Sequence, residues 1–275
     1  GRRGSDNVED RRGMSTGTKV VGGGLGTLVI VLLVYLLGGD PSGILQQSGS
    51  SGTAGPVEAS EEENAMAQFV SVVLADTEEV WGKIFAQSGA TYRQPTLVLF
   101  RDQVQSACGY ATAASGPFYC PGDEKVYIDL SFFDDLRAKY GVYGDFAIAY
   151  VVAHEIGHHV QNQMGILDEV QTERQRLSEV RGNQLTVRLE LQADFLAGVW
   201  AHHASNMFNS IEEGDIEEAL NAAASIGDDV LQKKYQGRVV PDSFTHGTAA
   251  QRSSWLRKGW ETGDLNQGDT FSGAI

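Results

Sequence analysis

Cysteine is scarce in this 275-residue sequence, where Cys108 and Cys120 are the only two. No CxxC pair and no partnered histidine accompanies them, so neither is a good candidate for a zinc ligand or a nucleophile. Gly116 and Pro117, which lie between them, can turn the chain back as a hairpin that brings the two sulfur atoms together. We expect a disulfide in an oxidising compartment, with two buried thiols as the alternative.

Positive charge is also in short supply, with 21 lysine and arginine residues against 36 aspartate and glutamate residues and a net charge of −15. Residues 1–19 hold five basic and three acidic residues, so the rest of the chain is more acidic still. Such a surface is unsuited to nucleic acid, and we expect no nucleic-acid partner. No internal repeat is evident, and nothing in the sequence indicates an oligomeric state.

Long hydrophobic runs are absent apart from residues 20–39, which contain no charged side chain. About twenty apolar residues are needed to cross a bilayer, so this stretch is a candidate transmembrane anchor and the contact with lipid. Basic residues precede it and Asp40 follows it, which by the positive-inside rule places residues 1–19 in the cytoplasm. We predict a single-pass protein of the inner (plasma) membrane with an extracytoplasmic domain; a cleaved signal peptide is the alternative.

The remaining sequence divides into a linker and one folded unit. Residues 40–63 are rich in glycine, serine and acidic residues, which is typical of a flexible linker. Residues 64–275 are long enough for one domain with a substantial core. Apolar spacing predicts a helix over 65–87, strands over 96–100 and 125–130, and helices after residue 131. We therefore predict an α+β, mainly helical domain with a small sheet.

The segment His154-Glu155-Ile156-Gly157-His158 is an HExxH motif within a predicted helix over 145–164, with Asp145 able to cap its start. At about 100° per residue the two histidines lie about 40° apart, so both can reach one Zn²⁺ ion. Glu155 lies beside them as a candidate general base. The alternative is a core helix whose histidines only satisfy hydrogen bonds.

A catalytic zinc ion needs a third protein ligand, and Glu190 and Asp194 are the leading candidates. They lie one turn apart in a second predicted helix, over 184–203. We assign Glu190 to the metal and Asp194 to the far nitrogen of a ligating histidine. The reverse assignment, and a pair of ordinary solvated carboxylates, stay open.

Four histidines lie outside the HExxH pair. His159 is displaced from His154 by about 140° around the helix, and we interpret it as structural. We interpret His202 and His203, near the end of their helix, as structural too. His246 lies in a loop and can donate to the oxyanion of a tetrahedral intermediate; a histidine bonded only to backbone is the alternative.

Several long motifs occur in order along the chain: HEIGHHVQ (154–161), ELQADFLAGVW (190–200), GDIEEALNAAASIGDD (214–229) and PDSFTHGTAAQR (241–252). Together they resemble the bacterial putative neutral zinc metallopeptidase family, whose members carry a short basic N-terminal tail and one membrane anchor. The likeness runs from SDNVEDRRG near the start to WLRKGW near the end.

The family is similar to the gluzincin peptidases, which implies His154, His158 and Glu190 as zinc ligands and Glu155 as the base. The resemblance further implies that His246 stabilises the oxyanion and that Arg252, six residues later, braces the site. It implies a zincin-like domain in which an edge strand binds an extended substrate by β-addition. Residues 125–130 are our candidate for that strand, although they could equally form a core strand.

These observations predict a membrane-anchored, extracytoplasmic zinc endopeptidase that acts on a protein or peptide substrate. One alternative is a catalytically silent metal-binding interaction module at the membrane, against which the presence of Glu155 argues. Another is a zinc hydrolase of cell-wall peptides, which would share the chemistry and differ in the cleft.

Overall fold

The computed structural model of the protein describes residues 2–13 and 59–275. The predicted span over 20–39 and nearly all of the linker lie outside these residues. No helix in the described ranges combines the length and the apolar character needed to cross a bilayer. The helices are α1 (Glu61–Gln87), α2 (Ser131–Tyr140), α3 (Asp145–Gln163), α4 (Ile166–Arg174), α5 (Glu179–Phe208), α6 (Glu213–Ser225), α7 (Asp228–Gln236) and α8 (Ala249–Thr262).

A four-stranded sheet lies beside these helices, and a two-stranded hairpin accompanies it. The order in the sheet is β1-β2-β6-β5, with β5 antiparallel to β6 and the other pairs parallel. The strands are β1 (Val8–Asp10), β2 (Thr96–Phe100), β3 (Gln103–Ser106), β4 (Gly109–Thr112), β5 (Phe118–Cys120) and β6 (Lys125–Asp129). The prediction of a mainly helical α+β domain with a small sheet is confirmed for the described residues.

The predicted strand over 125–130 forms as β6 but lies between β2 and β5, so its suggested role as an edge strand is wrong. The physical reason is its burial: Val126, Tyr127 and Ile128 are all buried, which suits a central strand. The edge of the sheet nearest α3 is β5.

Residues 2–13 are part of the domain. Val8–Asp10 forms β1, which pairs in parallel with residues 97–99 of β2. The prediction that residues 1–19 form a separate tail is therefore wrong for residues 2–13. Part of the basic charge that suggested a tail is paired with acidic side chains of α1; for example, Arg2 Nε lies 2.7 Å from Asp76 Oδ1.

The two cysteines form the predicted disulfide, between Cys108 in the β3–β4 turn and Cys120 at the end of β5. The bond covalently links the hairpin to the edge strand of the main sheet. Because β5 is only three residues long, this link and its pairing with β6 hold it in place.

The helices α3 and α5 pack closely in the core, and Gly157 permits their closest approach. A Cβ atom at position 157 would lie 3.0 Å from the carbonyl oxygen of Ala193. The glycine inside the HExxH motif therefore brings the backbone of α3 against α5 beside Asp194. This contact sets the distance between the two helices that carry the candidate metal ligands.

Candidate metal centre

The side chains of His154, His158 and Glu190 converge in the core between α3 and α5. His154 Nε2 lies 3.1 Å from Glu190 Oε2, and His158 Nε2 lies 3.3 Å from Glu190 Oε1. One ligand atom from each residue lies within 4.8 Å of the others. Two imidazoles and one carboxylate thus face a common point, as in the ligand set of a catalytic zinc site.

The helix α3 presents its two histidines because it is continuous through the motif. It begins at Asp145 after Gly144 and ends at Gln163, just before Gly165, which has a φ of +80°. The prediction that Asp145 caps this helix is wrong, because Gly144 occupies the cap position and Asp145 is the first helical residue. A carboxylate in the first turn still interacts favourably with the helix dipole.

The far nitrogen of His154 contacts Asp194, whose Oδ1 lies 2.8 Å from His154 Nδ1. Asp194 is fully buried, and it is not among the converging ligand atoms. Of the two assignments considered from the sequence, this geometry favours Glu190 as the ligand and Asp194 as the support of a ligand. The third possibility, two solvated carboxylates, does not agree with their burial.

Arg252 and Tyr150 complete the surroundings of Asp194. Arg252 Nε donates to Asp194 Oδ2 at 2.8 Å, and the hydroxyl of Tyr150 donates to Asp194 Oδ1. Burial raises the pKa of the Asp194 carboxyl, but the charges of Arg252 and His154 outweigh burial and lower the pKa to about 2. Arg252 therefore keeps Asp194 ionised and in place, which is the bracing that the resemblance implied.

A second support was missed from the sequence: Gln161 holds His158. Its Oε1 lies 2.9 Å from His158 Nδ1. Its amide donates to the carbonyl of Leu189 at 2.8 Å and to Gln192 Oε1 at 3.0 Å, which fixes the amide group. The Nδ1 atom of His158 then donates to Gln161, which leaves Nε2 as the atom that would bind a metal. The spacing of Gln161 from His158 by three residues on α3 was the available signal.

Glu155 is buried beside the two histidines. Burial raises the pKa of its carboxyl above the ordinary value of 4.5, although the positive charges of His154 and His158 oppose the rise. A carboxylate with a raised pKa exchanges a proton with water more readily near neutral pH. Its position and its pKa both suit a general base.

His246 approaches the same site from the loop before α8. It lies close enough to Glu155 and Glu190 for its charge to lower the pKa of both carboxyls. Asp228, which was not singled out from the sequence, holds this loop: its Oδ2 accepts the backbone N–H groups of residues 245, 246 and 247, at 2.8, 2.6 and 2.9 Å. The other oxygen of Asp228 lies 3.5 Å from His246 Nδ1.

The remaining histidines have structural contacts, as their positions predicted. His159 is buried, with Nε2 2.6 Å from the carbonyl oxygen of Arg93 and Nδ1 2.8 Å from the hydroxyl of Tyr119. His202 Nδ1 lies 2.8 Å from the carbonyl oxygen of Trp260 in α8. His203 Nε2 lies 2.8 Å from the carbonyl oxygen of Gly263, just after α8. These three imidazoles lie outside the group of converging ligands.

The model of the putative neutral zinc metallopeptidase family matches residues 1–271. The chain belongs to this family. An Escherichia coli (strain K12) protein described as uncharacterized protein YpfJ is 48% identical over 284 positions, covering 100% of this chain and 99% of the relative. A Mycobacterium tuberculosis (strain H37Rv) protein described as uncharacterized protein Rv2575 is 46% identical over 193 positions, covering 66% of this chain and 64% of the relative. No solved structure matches the chain.

The residues present fit the zinc ion that the family name implies. Zinc in catalytic sites is commonly bound by two imidazole nitrogens and a carboxylate, with a fourth position left for water or substrate. Here His154, His158 and Glu190 supply that set of donors. Each histidine has its other nitrogen held by a buried acceptor, as zinc ligands usually do. The alternative of a core helix whose histidines only satisfy hydrogen bonds does not explain the convergence on Glu190.

Removing the support of His158 should weaken zinc binding. We expect Gln161→Ala to raise the Kd for zinc by about 10- to 100-fold, because the imidazole loses the contact that fixes its orientation. Gln163→Ala is the matched control, since Gln163 lies on the same helix and contacts Arg93 instead of a ligand. Competition with a fluorescent chelator measures both constants. Equal affinities in the two variants would contradict the role assigned to Gln161.

Zinc binding should also release protons at neutral pH. Burial lowers the pKa of the His154 imidazole, but the charge and hydrogen bonds of Asp194 and Glu190 outweigh burial and raise the pKa to about 10. The metal-free domain therefore carries a proton on His154 at pH 7, and that proton must leave before Nε2 can bind a metal. We expect release of about one proton or more per zinc ion. Titration calorimetry in buffers of different ionisation enthalpy measures this number, and an enthalpy independent of the buffer would contradict it.

Proposed function

We propose that this protein is a zinc-dependent endopeptidase. The observation that carries the proposal is the buried group of His154, His158 and Glu190 with Glu155 beside it. A site that only stored or displayed a metal would have no use for a buried carboxylate with a raised pKa next to the ligands. The family description names the same activity class.

The chain's own residues supply the proton transfers of peptide hydrolysis. A zinc ion held by the three ligands would polarise the scissile carbonyl and lower the pKa of a water molecule. Glu155 accepts a proton from the attacking water and delivers it to the leaving amine. His246, held by Asp228, donates a hydrogen bond to the oxyanion of the tetrahedral intermediate. Burial lowers the pKa of His246, but the hydrogen bond and charge of Asp228 and the charge of Glu190 outweigh burial and raise it, which favours the donating form.

An extended peptide can bind along β5. Within the described residues this strand pairs with β6 on one side only, so its other edge offers backbone N–H and C=O groups. The hydroxyl of Tyr119, at the centre of β5, contacts His159 Nδ1 on the helix that carries the metal ligands. Asn162 Nδ2 on the same helix also donates to this hydroxyl, at 3.0 Å. These bonds hold the edge strand at a fixed distance from the site, as substrate alignment requires.

For location, we propose that the domain is extracytoplasmic and that residues 20–39 attach it to the inner membrane. The absence of charge in those residues supports the attachment. The disulfide supports an oxidising compartment, because such bonds rarely persist in the cytosol. The substrates would then be proteins or peptides near the membrane surface.

Replacing the base should greatly slow cleavage and leave the metal bound. We expect Glu155→Gln to lower kcat by about 100- to 10,000-fold, because the amide cannot accept the proton. Glu155 is not a ligand, so zinc content should remain that of the wild type. The measurement is cleavage of an unstructured protein together with metal analysis of the same sample.

The matched control is Glu173→Gln, which makes the same change at an exposed position on α4. This variant should cleave at the wild-type rate. Wild-type activity in Glu155→Gln would exclude the assigned base. A wild-type protein that binds zinc and cleaves no peptide in a broad library would instead support a silent interaction module.

The loop histidine should contribute to the rate rather than to metal binding. We expect His246→Ala to lower kcat by about 100- to 1,000-fold, the usual effect of removing one oxyanion donor. KM and zinc content should change little, because His246 is not among the converging ligands. Steady-state kinetics on one peptide substrate measures both constants. Loss of zinc, or a change confined to KM, would contradict the assignment.

A further inference from the structure

Residues 2–13 occupy a surface made by the edge of β2 and one side of α1. The N–H of Ser5 donates to the carbonyl of Ser71 at 3.0 Å. The N–H of Leu97 donates to the carbonyl of Asn7 at 2.9 Å, and the N–H of Arg11 donates to the carbonyl of Leu99 at 2.8 Å. Backbone bonds therefore hold the segment along most of its length.

Side chains at the start of the segment contact acidic residues of α1. The Ser5 hydroxyl and the Asn7 amide both donate to Glu78 Oε1, each at 2.7 Å. Arg2 Nε lies 2.7 Å from Asp76, whose side chain is only 13% exposed. Removal of Arg2 would leave a largely buried carboxylate without its cation, which is costly.

Side chains at the end of the segment contact the sheet and the start of α1. Lys125 Nζ on β6 lies 2.6 Å from Glu9 Oε1. Arg12 Nη1 lies 3.4 Å from Glu63 Oε1, and the Arg12 side chain is only 7% exposed. Arg2 and Arg12 of the segment thus pair with acidic residues of α1, and Glu9 of the segment pairs with a lysine of the sheet.

The fit also depends on the small size of one residue. A Cβ atom at Gly4 would lie 2.4 Å from the hydroxyl oxygen and 3.1 Å from the Cβ of Ser71. A Cβ atom at Gly13, just beyond the last of these contacts, would have nothing within 4 Å. The close approach at Gly4 is what a fitted docking surface requires.

We propose that the edge of β2 and α1 form a docking site for residues 2–13 of the same chain, and that this places those residues and the domain on one side of the membrane. Hydrogen bonds of 3 Å cannot reach across a hydrocarbon layer of about 30 Å. This sidedness differs from the single crossing predicted from the charge pattern, and it rests on the membrane attachment proposed above.

Docking of residues 2–13 covers the edge of β2. An unpaired strand edge is a template for any extended chain. With β1 in place, the edge of β2 is covered, and β5 is the edge of this sheet that faces the helix of the metal site. The two outer strands of the described sheet are then β1 and β5, and β5 is the one tied to α3.

A zero-length cross-link tests the docking in the full chain. Carbodiimide treatment of membranes that contain the protein should join Glu9 to Lys125 within one chain, because their charged atoms are in contact. Gly4→Val should reduce the yield of this cross-linked peptide several-fold by the clash with Ser71, and Gly13→Val should leave it unchanged. The readout is mass spectrometry of the digested protein. Absence of the cross-link, its occurrence only between two chains, or equal yields in both variants would overturn the proposal.

Cysteine labelling tests the sidedness separately. Asp6→Cys lies in the segment, at a side chain that is 84% exposed, and Ser272→Cys lies at an exposed position of the domain. The native cysteines are bonded to each other, so they give no background. In spheroplasts treated with a membrane-impermeant maleimide, both single variants should be labelled, or both should be protected until detergent is added. Labelling of one and protection of the other would overturn the proposal. Neither outcome depends on peptidase activity.

Discussion

The site depends on the buried pair of Asp194 and Arg252. A charge in the interior of a protein is tolerated only when its partner and its hydrogen bonds are in place. Here both oxygens of Asp194 contact Arg252, and one of them also accepts from Tyr150 and contacts His154. The pair therefore connects α8 to α5 and, through the two contacts on α3, fixes the orientation of the His154 imidazole.

The same requirement explains why the two metal helices lie so close together. His154 can reach Asp194 only because the backbones of α3 and α5 approach each other at Gly157. A larger residue there would push the helices apart and deprive Asp194 Oδ1 of its contacts with Tyr150 and His154. Packing of the helices and pairing of the charges are thus one constraint. At the second histidine, Gln161 holds the imidazole of His158.

The sequence predicted what depends on local spacing. The HExxH helix, the second ligand helix and the strands β2 and β6 follow from periodicity, and Glu190 follows from its spacing to Asp194. It did not predict the distant contacts made by Asp228 or by residues 2–13. Asp228 lies in an acidic stretch in which nothing marks one carboxylate as the acceptor of three loop amides. Residues 2–13 are short, polar and basic, so their pattern alone is also that of a solvated tail.

The proposed substrate strand, β5, is tethered at two of its three residues. Cys120 at one end of β5 is bonded to Cys108, and Tyr119 at its centre contacts His159 on α3. His159 donates through Nε2 to the carbonyl of Arg93, which leaves Nδ1 to accept from Tyr119. Burial lowers the pKa of His159, so the neutral imidazole that this arrangement needs is the favoured form. A histidine that binds no metal thus sets the distance between the β5 edge and the ligands, and a peptide added to that edge would pass the metal site in a fixed register.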